Sequence, residues 1–183
     1  MLKGFAAIVM SLILPAFLWA GNDLETKKAA AVKTADEIIN MRSSLAKAFI
    51  RPDTEITEET FKNVCGAVFK RAKEIAEKEG FKIRHAAVKN RNPNFAAKQD
   101  EIKILEAFDM NRNLKEKWDT IEIEGKRYQR YMRPVFVEEV CLACHGPKDK
   151  RPKFIVEKYP NDKAYDFKVG DLRGMIEVMV REE

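Results

Sequence analysis

The chain is short of the residues that build most metal sites and disulfide frameworks. Its 183 residues include three cysteines and two histidines. Three cysteines do not make the even set expected of a disulfide-stapled domain. A four-ligand zinc site usually needs a second C-x-x-C or a histidine pair. Neither is present, since the cysteine and histidine outside the one C-x-x-C-H are Cys65 and His85, which are not closely paired. Charge of one sign is lacking as well: 34 Lys+Arg and 29 Asp+Glu are interleaved, which is weak support for a nucleic-acid partner despite the basic balance. No repeat, low-complexity tract or long linker divides the chain.

The one long apolar run is at the start. Met1-Leu2-Lys3 carries a positive charge, Phe5 to Leu14 is nearly all apolar, and Pro15 interrupts before Phe17-Leu18-Trp19-Ala20 and polar Gly21-Asn22-Asp23. This is the order of a cleavable export signal. It predicts a signal peptide over 1–20 cut after Ala20, although Leu18 is larger than usual two positions before the cut. As an uncleaved anchor, Gly4 to Gly21 is marginal for the roughly 20 residues that span a bilayer. Cleavage leaves 21–183 as a single domain with no membrane span, a net charge of +4 and a periplasmic destination.

What is present is Cys141-Leu142-Ala143-Cys144-His145. Two cysteines two residues apart, with a histidine directly after, are the attachment signature of c-type haem. Each thiol adds to one porphyrin vinyl group, and the adjacent histidine reaches the iron. The spacing predicts Cys141 and Cys144 as tethers of one covalent haem c and His145 as an axial ligand. A redox dithiol and a Cys141–Cys144 disulfide are the alternatives. Haem is attached to this motif outside the cytoplasmic membrane, so the export signal favours haem. Two propionates would lower the net charge to about +2.

Along the chain, Lys27 to Ile50 reads as a helix, with Ala31, Ala35, Ile38, Met41, Leu45 and Phe49 on one side. A second helix runs from an N-cap at Thr57 to a stop at Gly80. Its apolar stripe, from Phe61 through Val64, Cys65, Val68, Ala72, Ile75 and Ala76, turns Cys65 inward. Free cysteine is commonly a small core hydrophobe, and a thiolate can also ligate haem iron. Gly66 beside it suits a flat group close to the backbone. Phe81 to Val88 reads as a strand with His85 on its apolar side, as a core residue or a second distal ligand. Asn90 to Asn94 is a turn, and a helix follows over Lys98–Met110, burying Ile102, Leu105 and Phe108. Trp118–Ile123 and Lys126–Val137 read as a hairpin turning at Glu124-Gly125 and leading into Cys141. Arg127, Arg130 and Arg133 line the solvent face of the sheet or are candidates for propionate pairing, the solvent face being the commoner role. Lys148 to Lys168 reads as a long polar loop. Leu172 to Val180 is a closing strand, with Met175 and Met179 as remote ligand candidates.

These blocks resemble the Tll-type family of exported, single-haem c-type proteins. The matching stretches are Asn63-Val64-Cys65, then Lys89-Asn90-Arg91-Asn92-Pro93-Asn94 with Glu101. Tyr131-Met132-Arg133-Pro134-Val135 precedes Cys141-Leu142-Ala143-Cys144-His145-Gly146, and Tyr159-Pro160 runs through to Gly170-Asp171-Leu172-Arg173-Gly174. The resemblance implies an α+β, PAS-like fold, an antiparallel sheet flanked by N-terminal helices. It also implies a haem iron held by His145 and, opposite it, by Cys65. The chain departs from the family at Ala164, where glycine is usual before the aromatic residue, and at His85, where a small or hydroxyl residue is usual. The second departure leaves ligand exchange between Cys65 and His85 open.

The expected function is electron transfer or redox sensing with a redox partner protein or a separate signalling protein. The alternative is a sensory module in which CO, NO or oxygen displaces the distal ligand. A peroxidase-like enzyme has little support, because no distal histidine–arginine pair is recognisable.

Overall fold

The computed structural model describes residues 17–51 and 55–182, with side chains from residue 23 onward. The bulk of the expected signal peptide lies outside the described residues. Helix α1 spans Phe17–Phe49, starting earlier than its apolar periodicity suggested. Exposed pairs one turn apart, Lys27–Asp23 at 2.5 Å and Lys28–Glu25 at 2.9 Å, support the added turns. Among the described residues, no helix is long and apolar enough to cross a membrane.

Thr57 caps the next helix as expected, its hydroxyl accepting the Thr60 N–H in a capping box. The helix is not uniform. α2 (Glu58–Phe61) passes into a π-helical turn over Lys62–Gly66 and then into α3 (Ala67–Glu79), which ends at Gly80. Strand β1 is Lys82–Ala86, α4 is Gln99–Met110, and β2 (Lys117–Ile123) and β3 (Lys126–Phe136) form the expected hairpin. The expected loop after His145 is partly helical. It holds α6 (Lys153–Lys158) and buries Ile155, Ala164 and Phe167. β4 (Leu172–Arg181) closes the chain.

The four strands are antiparallel in the order β1-β4-β3-β2, so the last strand lies between the first strand and the hairpin. Alternation along β3 and β4 separates two cores. On one face Tyr131, Val135, Ile176, Val178 and Val180 pack against Ala31, Ala35 and Ile38 of α1 and Val68 and Ile75 of α3. The two fully buried alanines let α1 lie close to the sheet. On the other face Met132 and Met175 pack against Ile104, Leu105 and Phe108 of α4. Met175 therefore fills the core on the α4 side, and Met179, of the same parity, shares that side.

Arg84, on the opposite face of β1 from His85, also faces α4. Its guanidinium binds Glu101 at 3.0 Å, and Arg130 binds Asp119, Asp100 and Glu177. Two arginines thus meet four carboxylates, two of which, Glu101 and Glu177, are fully buried. Burial, and then the neighbouring Glu101 charge, push the Glu177 carboxyl up to about 8.

Candidate functional site

The hairpin delivers the Cys-x-x-Cys-His segment to a fixed place. Val137, just past β3, is tied to the far loop by Val137 N–H to Asp171 O at 2.9 Å and Gly170 N–H to Val137 O at 2.8 Å. A 3₁₀ turn over Glu139–Cys141 and the short α5 (Leu142–His145) follow at once. Gly146 ends the turn because nothing larger fits: an added Cβ would lie 2.7 Å from Leu142 O.

His145 is oriented by the segment that follows α6. Its Nδ1 lies 2.7 Å from Ala164 O. A carbonyl only accepts, so Nδ1 carries the proton and Nε2 keeps the free lone pair. The Arg91 guanidinium, 3.4 Å from the same Nδ1, donates instead to Cys144 O at 2.7 Å. Phe167 N–H donates to His145 O at 3.1 Å, and the Phe167 ring stands edge-on to the imidazole, centroids 6.0 Å apart. A histidine with Nδ1 bound to a backbone carbonyl presents Nε2 as a ligand donor.

Cys65 enters the same neighbourhood from the π-helical turn. Such turns widen a helix by one residue and re-aim its side chains, and they are frequent at functional sites. Here Val64 goes into the core and Cys65 is half-buried. Gly66 is uncrowded: a side chain there would make only ordinary contacts with Phe61 O and Lys62 Cβ of its own helix.

His85 projects from β1 on the α1/α3 face, its ring 5.9 Å from Phe95, and its Nε2 is buried with no hydrogen-bond partner. Burial first, then the charges of Arg42 and Arg173, hold its pKa well below the usual histidine value. His145 is lowered in the same way, by burial and then by Arg173 and Arg91. Burial also raises both thiols of the motif, Cys144 to about 11. That disfavours a reactive dithiol, which works through a low thiol pKa.

The electrostatics bring eight groups together: Cys141, Cys144, His145, His85, Arg42 and Arg173 each feel the charge of others in the set, Cys65 and Arg91 among those acting on them. Arg91 apart, which is buried, all keep some accessible surface. Yet burial is the largest influence on Arg42, Arg173, both motif thiols and both histidines. These groups keep some surface yet are largely withdrawn from water, as groups lining a recess, here called the cleft, would be.

Sequence reasoning missed the three arginines of this cleft. Arg42 makes no ion pair or hydrogen bond with the described residues, and burial lowers its pKa. Among the described residues Arg173 donates to Lys89 O alone, at 3.2 Å, and burial and the two other guanidiniums bring it down to about 9. Arg91 lies 3.4 Å from buried Asp162, which is also held by Arg151 at 3.1 Å. Among the described residues, only Arg91 of these three pairs with a carboxylate, and the cleft has an excess of positive charge. The β3 arginines are committed elsewhere, Arg127 to Glu182, Arg130 to the acidic group under α4, and Arg133 to Asp36. The family blocks around Asn90 and Leu172 contain Arg91 and Arg173, and this was the signal available.

The fold and cleft define an α+β protein in which a four-stranded antiparallel sheet and its helices enclose a Cys/His/Arg-lined site. The family model for Tll0287-like proteins matches residues 20–181, and the chain belongs to that family. Among solved structures it is similar to the cyanobacterial heme-protein Tll0287, with 41% sequence identity and a TM-score of 0.76, over 86% of this chain and 96% of that one. No curated protein matches the chain.

Proposed function

We propose that this chain is an exported, PAS-like protein carrying one covalent haem c, and that it acts in electron transfer or redox sensing outside the cytoplasmic membrane. The observation that carries the reading is the composition of the cleft. Two cysteines at haem-attachment spacing, a histidine with a free Nε2 and a further cysteine converge beside three guanidiniums, of which only Arg91 pairs with a carboxylate among the described residues. A buried cation without a counter-charge is costly. A group bearing two carboxylates fits that excess, and haem has two propionates. The similarity to a heme-protein supports the same cofactor.

In this reading Cys141 and Cys144 would form the thioethers, and His145 and Cys65 would hold the iron. Arg42, Arg91 and Arg173 hold the propionates. Bound there, haem would supply a one-electron ferric/ferrous couple, its potential lowered by a thiolate ligand. The chain orients the His145 ring through Ala164 O and keeps water from the cleft.

The unpartnered His85 Nε2 favours a second reading. A second nitrogen donor beside the cleft makes exchange with Cys65 feasible, and a sensory module would let CO, NO or oxygen take the vacated position.

The test is the mass and electronic spectrum of the protein matured in a host that attaches haem. A mass increase of one haem, with a Soret band that survives denaturation, is expected. A mass equal to the polypeptide, without Soret absorption, removes the haem reading. CO binding by the reduced, unmutated protein selects the sensory alternative.

A further inference from the structure

We propose that the basic surface over His145, built around Tyr165 and Phe167, is a docking site for an acidic one-electron redox protein. This rests on the haem reading above. The segment that orients His145 from inside, Ala164 to Phe167, carries a half-exposed ring, Tyr165, and a buried one, Phe167, each with cations against it. Lys148 Nζ lies 5.2 Å and the Arg151 guanidinium 4.6 Å from the Tyr165 ring. Lys89 Nζ lies 4.1 Å from the Phe167 ring, which itself stands edge-on to His145. One aromatic ring therefore separates the Lys89 ammonium from the imidazole.

The charge is concentrated here. Residues 146–168 contain seven Lys+Arg and four Asp+Glu, so 23 residues hold +3 of the chain's net +5. One of those acids, Asp162, is buried beneath the surface, whereas the exposed Asp166 keeps its charge and offsets one cation. Asp162 is buried against Arg91 and Arg151, and Asp166 Oδ1 accepts the Lys148 N–H at 2.9 Å. Lys148, Lys150 and Lys168 are exposed. Such a patch steers and orients a partner of opposite charge. The partner that fits is an acidic protein with a one-electron centre. The exchange moves one electron from ferrous iron to the partner's oxidised centre, leaving ferric iron and a reduced partner, with no atom transferred.

An acidic [2Fe–2S] ferredoxin serves as the probe, with binding measured by calorimetry and electron exchange by stopped flow. Lys148→Glu/Lys150→Glu is compared with Lys73→Glu/Lys78→Glu, which makes the same charge change on the exposed face of α3. The wild type should bind at low salt and lose affinity as ionic strength rises. The first variant should bind about tenfold more weakly, and the α3 variant within about twofold of wild type. Lys89→Gln should slow electron exchange with the fold unchanged by circular dichroism. Equal losses in both double variants, or no binding by the wild type, overturn the proposal. Calorimetry decides docking whether or not a Soret band is present, so failure of the haem reading is seen separately.

Discussion

Gly174 and His85 are in direct contact across the sheet. A Cβ added to Gly174 would lie 2.7 Å from His85 Nε2 and 2.5 Å from Ala86 O, and Gly174 has a φ of 154°. The start of β4 therefore fits against β1 only without a side chain, and this fit seals the imidazole nitrogen from solvent. Gly174→Ala should cost about 3 kcal/mol of stability, since both the contact and the backbone conformation are strained. Urea unfolding measures this. A loss below about 0.5 kcal/mol would mean that β4 shifts freely and the contact is not confining.

Cys65→Ala should raise the midpoint potential of the haem protein. An anionic sulfur ligand stabilises ferric over ferrous iron, so its removal favours reduction. Spectroelectrochemical titration of both proteins provides the check. An unchanged potential, with an unchanged low-spin spectrum, takes Cys65 off the iron and directs attention to His85.

Arg42 gives a prediction whose sign depends on the cofactor. In the haem-free chain its guanidinium has no counter-charge among the described residues, and burial works against its ionised form. Arg42→Met should stabilise the haem-free protein by roughly 1 kcal/mol, as apolar replacement of buried charge often does. In the haem-bound protein the same change removes a propionate partner and should destabilise. Parallel denaturant titrations of the two forms test the crossing of sign. If both forms respond alike, Arg42 is not a propionate partner.

The layout of elements was legible in the sequence because each relied on local chemistry: the Thr57 cap, the stop at Gly80, the Glu124-Gly125 turn, and alternation along β3 and β4. The convergence of Cys65 with Cys141, Cys144 and His145 was reached through the resemblance and not through periodicity. A π turn leaves no mark in an apolar stripe, so Cys65 looked like a core residue. The partners of the β3 arginines were not legible for a related reason. Spacing along β3 shows which residues share a face, but not that acids from β2, α4 and α1 meet Arg130 and Arg133 there. The segment after His145 looked polar because its lysines outnumber Ile155, Ala164 and Phe167, the residues that anchor it.

The acidic group beneath α4 should set the pH dependence of stability. Arg84 and Arg130 face Asp100, Glu101, Asp119 and Glu177, and the excess of carboxylates leaves one proton on the buried Glu177, whose pKa stands at about 8. In the unfolded chain this carboxyl titrates near about 4.3. Between these values the folded state holds a proton that the unfolded state has released, so stability falls as pH rises through the window and levels off above 8. A single such group contributes up to about 1.4 kcal/mol per pH unit. Glu177→Gln fixes the neutral form and removes that contribution. The variant should match the wild type near pH 4.5 and exceed it above pH 8, as read from urea midpoints across the range. Parallel pH profiles for the two proteins would place the shared proton elsewhere in the group and return Glu177 to the ionised partners of Arg130.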